Sequence, residues 1–349
     1  MMSTRAGAIF TPTLLSLSLV ALGCSSGESA TGAAGAAGST SGAGGAGTTT
    51  SSASTGTGEF DAGAELTTFE GAIGPIPVDP GGENTQCITV RLGNTEGAIV
   101  RRFRATLSPG SHHMIVYRSN KTVEDPTPKN CQGFSGLITG EHPIFIAQQA
   151  SSELVFPTDE GGKPVGLEIA PEQMVKIEMH FFNTGAATSN VDGKLLVDTV
   201  PLSTDVTRSD LAFWGTQDIN IPPNAPYDTG LHFQLGLGGT WMFALTTHQH
   251  HLGTRMRVWH AENNDDTSVP IADSTSWSDP PLEIFAPALE FPFAGGVYSS
   301  KGLAYQCEYN NTTSQQVGFG EGVNDEMCFL WHYYYPSQGF HLCFDQFCP

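Results

Sequence analysis

Short runs of alternating apolar and polar residues, broken by turn residues, recur through most of this chain and decide what it can fold into. The clearest is VKIEMHFF at 175–182, where Val175, Ile177, Met179 and Phe181 share one side and Lys176, Glu178 and His180 the other. QCITVRL (86–92), IVRRFRA (99–105) and HHMIVYR (112–118) alternate likewise. No long segment keeps the period of a helix, so the expected class is all-β with little helix. At 349 residues the chain exceeds what one core usually supports, which predicts two domains. The turn-rich stretch TVPLSTDVTRSD (199–210) is the expected junction, dividing 59–203 from 204–349. Beyond it LAFWGTQDINI, TGLHFQL, WMFALTTHQHH, TRMRVWH, LAYQCEYN and MCFLWHYYY read as strands of a second sandwich.

The first 58 residues carry no such pattern. Arg5 precedes LLSLSLVALG, an apolar stretch too short to span a bilayer, which is the layout of an export signal covering 1–24. Small residues before Cys24 resemble the lipobox of bacterial lipoproteins, so Cys24 is expected to be lipidated, with Ser25 compatible with the outer membrane. A plain secretory signal with an incidental cysteine is the alternative. Residues 25–58, almost wholly Gly, Ser, Thr and Ala, form a tether with nothing to bury. Fifteen Lys and Arg against 35 Asp and Glu set the formal charge at -20, which argues against nucleic acid as a partner.

Cys24 aside, six cysteines remain: Cys87, Cys131, Cys307, Cys328, Cys343 and Cys348. In an exported protein three disulfides are expected, and six cysteines allow 15 pairings. Their placement suggests one bridge in the first domain and two in the second. None has the CxxC spacing of a zinc or redox site.

Histidine is concentrated where chemistry would need it. In LTTHQHH the period of a strand puts Thr246, His248 and His250 on one face and His251 on the other, so two imidazoles at i and i+2 can reach one ion. Polar, solvated histidines are the bland reading. His112 and His113 are adjacent, and both can face one metal only if the strand bulges there. His180, on the polar side of its strand, is a candidate third ligand. Met327, in NDEMCFLWHYYYP, reads first as core filler. A thioether beside imidazoles is nevertheless the set that favours copper, especially Cu(I), over zinc. His142, His232, His260, His332 and His341 take the bland reading.

SHHM, EMHFFNTG, THQHHLG and NDEMC, in that order, resemble the copper type II, ascorbate-dependent monooxygenases, the family of peptidylglycine α-hydroxylating monooxygenase and dopamine β-hydroxylase. The resemblance runs from about residue 60 to the end. It implies two jelly-roll-like antiparallel sandwiches, one copper in each, facing each other across a solvent-filled cleft. His112, His113 and His180 match ligands of an electron-storing copper. His248, His250 and Met327 match those of an oxygen-activating copper, with His251 a neighbour. It further implies the pairs Cys87–Cys131 and Cys307–Cys328, leaving Cys343–Cys348. The implied reaction is hydroxylation of an aliphatic C–H bond of a small molecule or peptide by O2, with both coppers recharged by ascorbate or another one-electron donor.

Two positions depart from the family. Thr246 stands where the peptidylglycine enzymes carry the arginine that binds the substrate carboxylate, so amidation of peptides is not expected. Trp331 replaces a tyrosine near the oxygen site, and with Thr246 is the candidate substrate pocket. A non-catalytic copper-binding or copper-buffering lipoprotein is the alternative function, although storage alone does not need a methionine-tuned pair of sites.

Overall fold

The computed structural model describes residues 65–322 and 324–345. They are almost entirely β, with one helix among them, the four-residue Ser135–Ile138. The expected export signal, Cys24 and the expected tether lie outside the described residues, as does Cys348.

The chain builds the same topology twice. In the amino-terminal half eight principal strands follow in order: Thr67–Val78, Glu83–Arg91, Ala98–Leu107, Ser111–Arg118, His142–Ala147, Val165–Ile169, Met174–Phe182 and Ser189–Pro201. One sheet runs first, eighth, third, sixth; the other runs second, seventh, fourth, fifth. In the carboxy-terminal half Asp210–Thr216, the pair Ala225–Asp228 and His232–Leu237 counted as one, Thr240–His248, Gly253–Ala261, Ala272–Ser274, Leu282–Phe291, Tyr298–Asn311 and Cys328–Tyr335 repeat that order in both sheets. This is the jelly-roll arrangement, two sheets joined by nested long connections that leave the hydrophobic faces opposed. Thr207–Arg208 still pairs with Val165–Gly166 of the first sandwich, and Asp210 opens the second.

The two sandwiches share a dry seam. In the strand Cys328–Tyr335 every residue is buried, because both faces are covered. Leu330 and Tyr334 enter the second sandwich's own core with Leu303, Tyr305 and Met256. Phe329, Trp331, Tyr333 and Tyr335 point the other way, into a core continuous with that of the first sandwich. Phe213 stacks on Phe134 at 5.6 Å, Phe243 lies 5.6 Å from Phe156, and the Tyr333 hydroxyl accepts the Ile146 amide at 3.2 Å. Sheets covered on both faces lose their alternation, which is why CFLWHYYY reads as a continuous apolar run.

Two irregularities aim the strands that matter. Pairing of Thr240–His248 with both neighbours slips between Met242 and Ala244, a bulge at Phe243 that turns Thr246 and His248 toward the first sandwich. Pairing of Ser111–Arg118 with Met174–Phe182 slips between Ser111 and His113, which puts the bulge at His112. That is the irregularity the adjacent histidines require.

The implied disulfides Cys87–Cys131 and Cys307–Cys328 are present, and Cys343 is also disulfide-bonded.

Candidate metal centre

Five imidazoles converge at the seam. With the strand bulged at His112, that ring, His113 and His180 lie within 5.1 to 5.5 Å of one another, centroid to centroid. His248 closes the strand Thr240–His248 and His250 follows it in the connecting turn, their rings 5.2 Å apart. The two groups are not separated. His112 lies 5.6 Å from His248 and His113 lies 5.1 Å from it. Donor atoms of His112, His113 and His180 fall within 4.8 Å of one another, and so do those of His112, His248 and His250. His112 therefore belongs to both triads. The expected solvent-filled cleft between one site per domain is not what the fold produces. The aromatic seam closes the sandwiches face to face and brings both sets of strand ends into one cluster, each ring at most 3% exposed.

Four of the five rings are held neutral, and the cluster is short of partners. Burial, followed by the proximity of the other imidazoles, pushes His112, His113 and His248 well below the usual histidine range, and burial pushes His250 to about 4. Neutral imidazole is the form that binds metal. Both nitrogens of His112, Nδ1 of His113 and His180, and Nε2 of His248 and His250 are buried without a hydrogen-bond partner. An orphaned buried polar group costs about 1 to 3 kcal/mol, so six converging orphans are hard to account for except as ligands. An all-imidazole set suits copper, zinc, nickel or iron, and a thioether added to it would shift the preference to copper.

Outer partners orient the rings. The Nδ1–H of His248 donates to Oε1 of Gln148 at 2.6 Å, and that of His250 donates to the carbonyl of Asp325 at 3.0 Å, which leaves both Nε2 atoms free. His180 donates through Nε2 to Glu83 at 2.8 Å. Glu326, pushed up to about 7 by burial, accepts the amides of His250 at 2.9 Å and Leu252 at 2.6 Å. Asp325 and Glu326 thus stitch the segment ending in Met327 to the turn carrying His250. Met327 is buried, its carbonyl accepts the Tyr309 hydroxyl at 2.7 Å, and its side chain faces an apolar cavity of about 250 Å³.

Of the residues flagged from the sequence Met327 lines that cavity, whereas Thr246 and Trp331 are not among its lining residues. Phe134, Phe213, Phe319, Phe329 and Leu342 line it, with Glu321 and Gln217 as polar members. Thr246 is buried and accepts Gln148 Nε2 at 3.0 Å, so it braces Gln148 rather than lining the cavity. Trp331 is buried against Phe213 at 3.9 Å. Sequence reasoning passed over Gln148, Glu83, Glu326 and Phe134. Phe134 sits 6.0 Å from both His113 and His248, between the cluster and the cavity. Its left-handed backbone (φ 52) is held by Glu178, which accepts its amide at 2.6 Å and that of Ser135 at 3.0 Å. His142, His232, His260, His332 and His341 stand apart from both triads, each against an aromatic ring. His251, a neighbour only, has its ring 6.5 Å from that of Trp277.

No curated protein matches this chain. Among solved structures it is similar to the major capsid protein P2 of bacteriophage PM2, at 9% identity over 77% of this chain and 97% of that one, with a TM-score of 0.29. It is also similar to the Sulfolobus turreted icosahedral virus structure, at 11% identity over 76% of this chain and 58% of that one, with a TM-score of 0.17. Likenesses this remote carry no argument about function. Residues 228–349 match the model of the copper type II ascorbate-dependent monooxygenase, C-terminal domain. Those residues contain His248, His250, Met327 and the Asp325–Glu326 brace, so it is the carboxy-terminal sandwich that matches the copper type II, ascorbate-dependent monooxygenase family.

Proposed function

We propose that the protein is a copper monooxygenase that hydroxylates an aliphatic C–H bond with O2 and ascorbate or another one-electron donor. The observation that carries this reading is the convergence of two buried histidine triads on the shared ring of His112, beside the segment that presents Met327. His112, His113 and His180 would hold one copper, and His248, His250 and Met327 a second. Copper bound there supplies one-electron redox chemistry and a place for O2 to react. The chain's own residues supply the rest. Gln148 and the Asp325 carbonyl fix the ring orientations of His248 and His250, and the aromatic seam keeps bulk water from the cluster.

The substrate's reacting group would enter the apolar cavity at Met327. Thr246 is spent on Gln148 and no arginine stands in its place, which disfavours a carboxylate-anchored peptide. The reading extends to location. Cys24 would be the lipid anchor in the outer membrane and 25–58 the tether to copper domains at 59–203 and 204–349.

The test is metal analysis followed by a substrate screen. We expect two copper ions per chain and ascorbate-dependent O2 uptake that rises with a hydroxylatable substrate. Copper near zero after reconstitution would sink the proposal. A copper-loaded protein inert with every hydrocarbon, amine and peptide tested would favour a copper-buffering lipoprotein.

A further inference from the structure

A cavity of about 290 Å³ opens where the two sandwiches meet, at the end of the strand Ser111–Arg118 opposite to His112 and about 20 Å from it at the rise of a strand. Arg118 and Gln173 come from the first sandwich, Arg208 and Ser209 from the segment joining the two, and Asp210 and Ser337 from the second. Arg118 is the unusual member. In a chain with 35 Asp and Glu against 15 Lys and Arg, a half-buried guanidinium should find a carboxylate, yet Arg118 forms no ion pair among the described residues. Its Nη2 donates to the Glu168 carbonyl at 2.7 Å, and its Nε is buried without a partner. The Glu168 carboxylate is already taken by Arg208, whose Nε donates to it at 2.8 Å. Ser209 is the second sign. It is 4% exposed, its amide donates to the Gly166 carbonyl at 2.9 Å, and its hydroxyl is buried with no partner. The Gln173 carboxamide, by contrast, is spent on the backbone of Ala170 and Met174 and only closes the wall. Buried donors without partners are costly, and two that flank one cavity point to an acceptor that fills it.

We infer that this cavity binds a small monocarboxylate of the 2-hydroxy acid type, its carboxylate on Arg118 and Ser209 and its hydroxyl on Asp210. A guanidinium presents its N–H groups in a fixed fork that matches a carboxylate, and the Ser209 hydroxyl supplies a further donor. Asp210 accepts the Leu211 amide and the Ser337 hydroxyl, both at 3.0 Å, which leaves its oxygens lone pairs for a ligand hydroxyl. Because Glu168 and Asp210 also line the cavity, a second negative charge on the ligand would be repelled. A singly charged carboxylate therefore fits better than a phosphate dianion. The volume lies at the low end for ligand cavities, which suits a compact molecule. Bound there, the ligand joins the first sandwich, the connecting segment and the second at the edge of the seam away from the histidines. None of the cavity's residues belongs to either triad, so the inference stands apart from the copper reading.

The experiment uses the full chain at neutral pH and constant ionic strength, with lactate as the probe and saturation-transfer NMR of the lactate methyl as the readout. A saturable site of millimolar Kd is expected. Arg118→Gln keeps a polar side chain without the charge, and Ser209→Ala removes a hydroxyl that has no partner in the fold. Each should weaken lactate binding about tenfold or more, the effect of losing a hydrogen bond to a charged group. Since Ser209→Ala leaves every hydrogen bond of the described fold in place, it carries the test even if Arg118→Gln does not fold. Inorganic phosphate at the same concentration should displace little of the lactate. A lactate signal that does not saturate with the unmodified chain would overturn the site. So would a Kd left unchanged by Ser209→Ala. Phosphate that displaces lactate at an equal or lower concentration would overturn the monocarboxylate assignment.

Discussion

The carboxamide oxygen of Gln148 accepts the Nδ1–H of His248 at 2.6 Å, joining residues 100 positions apart and on opposite sandwiches. The same side chain donates through Nε2 to Oγ1 of Thr246 at 3.0 Å and to the carbonyl of Thr247 at 2.8 Å. One residue of the first sandwich therefore sets the orientation of a candidate ligand in the second. Gln148→Leu keeps the bulk and removes all three bonds. Copper affinity at the His248–His250 site should fall about 10- to 100-fold, as is usual when a ligand's outer partner is removed. Competition with a chelator of known affinity measures it, and unchanged affinity would show that the bond does not serve the metal.

Met327→Ile replaces the thioether with an apolar side chain of similar size in a buried position. The expected outcome is loss of hydroxylation with most of the copper still bound, since five imidazoles remain. Product analysis and a copper count on the same sample separate this from collapse of the site. A variant that still turns over at the parent rate would remove Met327 from the ligand set.

Glu178 is completely buried and holds the turn that carries Phe134. Glu178→Ala would leave the amides of Phe134 and Ser135 unpaired, at about 1 to 3 kcal/mol each. Urea denaturation should show a loss of that order even with Cys87–Cys131 intact. Stability within a few tenths of a kcal/mol of the parent would mean that water or another group replaces the carboxylate.

His332 lies outside the cluster, fully buried with its ring 4.2 Å from that of Trp214, and burial pushes it to about 3. In the unfolded chain it takes up a proton near its ordinary 6.5. Between those values the unfolded state binds the extra proton. Stability conferred by the neutral ring is thus complete above about pH 6.5 and is lost as pH falls toward 3, at up to about 1.4 kcal/mol per pH unit. Equilibrium unfolding of the metal-free protein across that range should show a shallower acid slope for His332→Leu than for the parent. Identical slopes would mean that the ring protonates in the folded state.

Much of this was legible in the sequence because it depends on local pattern. Alternation in Met174–Phe182 and its companions announces the sheets, and adjacent His112 and His113 imply the bulge found between Ser111 and His113. The rest depends on which distant surfaces meet. Lys176, Glu178 and His180 read as a polar outer face, yet all three are buried, because the Phe134 turn and the second sandwich cover them. Gln148 and Glu83 carry no motif, Glu326 shows only as a neighbour of Met327, and each is recruited from 74 to 100 residues away. CFLWHYYY shows a strand, but one strand's composition does not say what its second face covers. The cleft was implied by the family resemblance alone, and the stacked rings of Phe134, Phe213 and Trp331 stand in its place.

The seam also sets how the gene can be cut. Phe213, Phe243, Phe329, Trp331 and Tyr333 would lie bare on a carboxy-terminal half made alone, an aromatic sheet face of the kind that drives association with other chains. Domain exchange with a relative would have to carry both sides of that face together. For recombination or truncation, the unit of inheritance is the stacked pair of sandwiches rather than either one.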